Sequence, residues 1–116
     1  MTQHGALSRA VFAVVVLVSL AVLFAPASDV PGAPPGVDKL VHAGLFAALA
    51  LTGRWAGVGA TPLAVLLPAY AVVSELIQGF TPLARTASLA DVLADVVGLV
   101  LGLLLWSLLA RRAPAS

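Results

Sequence analysis

The chain is predicted to be an all-α polytopic membrane protein, with four transmembrane helices in one bundle. Its mean hydropathy is +1.10, with 61% hydrophobic and 9% charged residues, where a soluble domain carries about a quarter charged. Four apolar runs follow one another along 116 residues, separated by short stretches rich in proline and glycine. A surface so poor in charge needs lipid as its outer solvent, and helices satisfy their own backbone there. The length suits one membrane domain, residues 1–116.

The same composition narrows the function classes. A formal charge of +1, scattered along the chain, speaks against nucleic-acid binding. The chain has no cysteine, so disulfide, thiolate-ligand and thiol-nucleophile chemistry are excluded.

The first expected span covers residues 10–25 and ends at Pro26, which cannot continue a helix. A cleaved signal peptide is the rival reading, because Ala25-Pro26-Ala27 has an A-x-A form; the run nearly reaches the ~17 residues of a minimal span. Pro31, Pro34 and Pro35 mark a linker. The second span covers 39–55, short enough to require tilt or local thinning, and breaks at Gly53, Gly57 and Gly59. The third covers 62–79, with Pro62 in the first turn and a kink expected at Pro68. The fourth covers 89–110 and is closed by Arg111 and Arg112. With four spans, Arg9, Arg54, Arg111 and Arg112 fall on one side and Lys39 and Arg85 on the other. The positive-inside bias then places both termini in the cytoplasm.

Ionisable groups within apolar runs are costly and persist mainly when partnered and useful. Asp38 and His42 are four apart, as are Asp91 and Asp95; Glu75 and Gln78 are three apart, so each pair shares a helix face. Asp91, Asp95, Gly98 and Gly102 continue one stripe, and the two glycines allow close approach of another helix, including one from a second copy. Asp38 opens an inward-running helix and puts His42 ~6 Å deeper; Gln78 closes an outward one above Glu75; Asp91 opens the last. All are expected in one polar layer beneath the outer surface.

Plainer roles compete. Ser88 and Asp91 fit a capping box, and Asp38 fits a helix cap. Lys39 can snorkel, His42 can be an interhelical donor, and Arg85 can be a loop charge. Asp95 lies too deep for capping; its plain role is to hydrogen-bond a neighbouring helix. Tyr70, Trp55 and Trp106 read as packing residues or interfacial anchors.

Two blocks carry a family resemblance. The first is Asp38-Lys39-Leu40-Val41-His42-Ala43-Gly44-Leu45-Phe46. The second is Ser74-Glu75-Leu76-Ile77-Gln78-Gly79-Phe80, continued by Pro82, Arg85, Ser88, Asp91, Asp95, Gly98 and Gly102. Across residues 38–102 the chain resembles the VanZ-like family of small bacterial membrane proteins. That resemblance implies a multi-pass protein of the bacterial cytoplasmic membrane and cell envelope, whose relatives are linked to teicoplanin-type glycopeptide resistance. The family pattern carries asparagine at the position of Asp95, which implies a hydrogen-bonding role there.

The functional expectation is a site open to the outer face that binds an anionic envelope molecule, a cell-wall precursor or lipid headgroup. Lys39 and Arg85 would hold the anion over a floor of Asp38, His42 and Glu75, with Gln78, Ser88, Asp91 and Asp95 as further ligand-binding residues. Glu75, His42 and Asp38 are the candidate catalytic groups. An alternative is a hydrolase or transferase assisted by a divalent metal on Asp38, His42, Glu75 and Asp91. A small proton-coupled carrier titrating Glu75 and a purely structural staple complete the set.

Overall fold

The computed structural model describes residues 5–24, 37–80 and 89–112, and for 37, 38, 78–80 and 112 the backbone alone. It is all-helical over these residues: α1 (Ala6–Leu23), α2 (Val37–Trp55), α3 (Ala60–Phe80) and α4 (Leu89–Arg112). α2, α3 and α4 match the expected bounds at 55 and 89 and extend them by one or two residues at their other four ends. α1 differs more, starting four residues earlier and stopping at Leu23, before Pro26.

These helices pair a largely apolar outer surface with a core that mixes apolar residues such as Phe46, Leu49 and Leu63 with buried polar groups. α1 buries Ser8 and Ser19 while Leu7, Val14 and Leu17 are exposed. α3 buries Ser74 and Glu75 between exposed Val73 and Leu76. Exposed leucine around buried polar groups fits hydrocarbon as the outer solvent. Three helical segments are long and apolar enough to cross a membrane: Ala6–Leu23, Ala60–Ile77 and Leu89–Arg111. The expected fourth, α2, carries Asp38 and Lys39 at its start and Arg54 at its end, so no 18-residue stretch of its 19 residues is as free of charge as those of the other three. Yet α2 is central. It packs most extensively on α4 and also meets α1 and α3.

Small residues make that packing possible. A Cβ on Gly98 would stand 2.0 Å from the Ala43 carbonyl oxygen, and one on Gly102 would stand 2.6 Å from that of Ala47. The glycine stripe is therefore filled by α2 of the same chain, so the expected role for it in joining two copies meets a surface already occupied. The α2–α3 turn is closed by Gly57 at φ 101°, with Val58 N–H bonded to Gly53 O and Gly57 N–H to Arg54 O. This is a glycine-dependent helix stop. α3 continues through Pro68, and Tyr70 two residues on bonds the Ser19 hydroxyl of α1 at 2.9 Å while its ring packs 5.7 Å from Phe46.

Candidate functional site

Four pairings set the register of α2 on α4: Lys39 with Asp91, His42 with Asp95, Ala43 with Gly98 and Ala47 with Gly102. Residue numbers rise together on both helices, so α2 and α4 run parallel. Asp95 and His42 stand at similar distances from their helix starts, about 8–9 Å along the axis. Both are buried, and His42 Nδ1 lies 2.7 Å from Asp95 Oδ1. An ionised carboxylate only accepts, so with Asp95 charged the imidazole donates from Nδ1. The Ala43–Gly98 contact sits next to this pair and governs how closely the two helices, and hence the two side chains, approach.

Glu75 comes from α3, 3% exposed. One ligand atom from each of His42, Glu75 and Asp95 lies within 4.8 Å of the others. Tetrahedral donors about 2.1 Å from an ion stand about 3.4 Å apart, so this trio would have to draw in by up to about 1.4 Å to hold a divalent cation. Nearer the start of α4, Asp91 pairs with Lys39, whose side chain is 43% exposed. Asp91 Oδ2 is also 3.9 Å from His42 Nε2, beyond hydrogen-bond reach. The result is a graded layer: an ammonium at the rim, Asp91 beneath it, then imidazole and two carboxylates with almost no exposure.

The metal-capable set differs from the expected one. Asp95 joins His42 and Glu75 where Asp91 was expected, because Asp91 lies a turn nearer the helix start and faces Lys39. The backbones of Asp38 and Gln78 lie in α2 and α3, but their side chains are outside the described residues, as are Arg85 and Ser88 altogether. The chain carries no signal for matching His42 to Asp95: counted from the expected starts at 39 and 89, His42 lies nearer the level of Asp91. Two further contacts lack an expected role: the Ser19–Tyr70 bond, and Arg54 over the Trp106 ring at 5.7 Å.

Compared with family models, curated proteins and solved structures, the chain matches none.

Proposed function

We propose that the chain is a four-span, VanZ-like protein of the bacterial cytoplasmic membrane, with both termini cytoplasmic. Its polar layer, just under the outer surface, binds an anionic envelope molecule, a cell-wall precursor or lipid headgroup. One observation carries the reading: His42, Glu75 and Asp95, from three helices, meet in a buried cluster beneath the Lys39–Asp91 pair. Burying so many ionisable groups in an apolar protein is costly unless they are used.

Charge decides how an anion could enter. Glu75, Asp91 and Asp95 outnumber Lys39 and His42, so the floor repels a bare anion. His42, Glu75 and Asp95 would hold a divalent cation, whose charge would offset that repulsion and leave Lys39 at the rim to hold the anion. Oxygen and imidazole donors suit zinc or manganese. The resemblance places teicoplanin-type resistance among the phenotypes to score.

The test is native mass spectrometry of the purified protein, dialysed and then given zinc or manganese. One ion per chain is expected in the wild type and none in Glu75→Gln or Asp95→Asn, both nearly isosteric. Equal metal content in all three rejects the cation-mediated reading and leaves the cluster as a helix staple. A second reading, metal-assisted hydrolysis, is favoured by the Asp95-oriented imidazole, since carboxylate–histidine pairs tune ligands of catalytic metals. Release of headgroup from a phospholipid or cell-wall lipid precursor by metal-loaded protein, lost in Glu75→Gln, separates it from simple binding.

A further inference from the structure

The helix ends opposite the acidic layer carry the reverse charge. α2 finishes at Arg54 and α4 at Arg111 and Arg112; Arg9 lies near Phe12, which approaches Gly53 of α2. Glu75, Asp91 and Asp95 all lie toward the other end. Among the ends of α2 and α4 and the start of α3 a cavity of about 380 Å³ opens here, lined by Arg54, Ala60, Leu103, Trp106, Ser107, Ala110 and Arg111.

Its walls divide by chemistry. Arg54, Arg111 and the Ser107 hydroxyl supply donors, while Leu103, Ala110 and the Trp106 ring are apolar. Arg54 is held in place: its guanidinium lies over the buried Trp106 ring at 5.7 Å, and Nη1 donates to Val58 O at 3.0 Å in the Gly57 turn. Two guanidinium groups lining one cavity repel each other, and an anion between them removes that repulsion while accepting from both. Planar forks of donors suit phosphate oxygens. Beside the cavity, the same helix exposes Leu104, Leu105 and Leu108. A ligand with a phosphate and acyl chains uses both surfaces, where free phosphate would use only the donors.

We propose that this cavity binds the phosphate of an anionic phospholipid, its headgroup between Arg54 and Arg111 and its acyl chains along Leu104 and Leu108. The site is independent of the acidic layer and of the function assigned there. Basic pockets among membrane helices bind such headgroups, each arginine adding about fivefold in affinity.

The experiment uses the full chain, with Trp55→Phe as background, in bilayers of phosphatidylcholine. Quenching of Trp106 fluorescence by dibrominated phosphatidylglycerol, against dibrominated phosphatidylcholine, gives a relative binding constant. The unaltered site should prefer phosphatidylglycerol by at least an order of magnitude. Arg111→Gln should reduce the preference about fivefold, and adding Arg54→Gln should bring it near one. Arg9→Gln, at the same end but outside the cavity, should leave it unchanged. Arg111 is exposed at a helix end, so its substitution decides the matter even if Arg54→Gln misfolds. An initial preference near one overturns the site, and an equal loss on Arg9→Gln reduces it to diffuse charge. Abolition of the preference by millimolar inorganic phosphate overturns the lipid as its source.

Discussion

Replacing Gly98 with alanine adds one methyl group where α2 and α4 are closest. That carbon would lie 2.0 Å from the Ala43 carbonyl oxygen, 2.7 Å from its carbon and 2.8 Å from its Cα. Carbon–oxygen contacts between helices normally settle near 3.3 Å, so the two backbones must part by about 1.3 Å. Backbone cannot rotate away as a flexible side chain would. The separation falls beside His42–Asp95, and 2.7 Å lengthened by that amount exceeds hydrogen-bond reach. Overpacking of this kind costs about 1–3 kcal/mol, and loss of a hydrogen bond to a charged group about 1.5–3 kcal/mol more. Alanine's better helix propensity returns up to about 1 kcal/mol. The expected net loss is about 2–5 kcal/mol, read by circular dichroism during SDS titration from mild micelles. Gly102→Ala, at 2.6 Å from Ala47 O, should fall between Gly98→Ala and wild type. Gly44→Ala meets nothing within 4 Å and should be neutral or slightly stabilising. If Gly98→Ala unfolds no earlier than Gly44→Ala, the parallel α2–α4 register is wrong.

Other perturbations read other parts of the molecule. Lys39→Gln should cost about 1 kcal/mol or less, since the ammonium is half in solvent, and adding Asp91→Asn should recover most of it; SDS-titration midpoints of both variants check this. Tyr70→Phe removes the tie between α3 and α1 at about 0.6 kcal/mol. The effect should stay small because the Ser19 hydroxyl still donates to Val16 O, and a loss several times larger would mean Tyr70 anchors more than this bond. His42→Leu keeps an apolar volume but deprives Asp95 of its imidazole, and should destabilise by about 1–3 kcal/mol, the cost of stranding a buried polar group. Pairing it with Asp95→Leu should be milder than His42→Leu alone.

Much of this architecture was legible in the order of residues. Gly57 closes α2 because it takes a positive φ, and α1 stops at Leu23 and α3 at Phe80, each before a proline, Pro26 and Pro82. The stripe Asp91, Asp95, Gly98 and Gly102 is buried in the structure, as helical periodicity expects. Pairing across helices was less legible. Asp95 reads as a residue that hydrogen-bonds a neighbouring helix, and it does bond His42, but neither that partner nor the reach to Glu75 could be read from the chain. That contact depends on the relative sliding of α2 and α4, which glycine spacing permits but does not specify. Charge also misleads about α2. Hydropathy weighs Asp38, Lys39 and Arg54 against a span, but says nothing of the three helices that surround it. The Arg54–Trp106 cavity was illegible for a similar reason, since its halves lie on helices about fifty residues apart in sequence.

The central claim is that imidazole and carboxylate groups on separate helices share one buried layer. Solid-state NMR of protein in bilayers tests it most directly, with ¹⁵N in the histidine ring, ¹³C in aspartate and glutamate carboxyls, and His4 replaced by Gln. A strong transfer from His42 Nδ1 to the Asp95 carboxyl carbon, with a weaker one to Glu75, is the predicted spectrum. An imidazole signal that couples to no carboxyl carbon, or that exchanges freely with water, would contradict it.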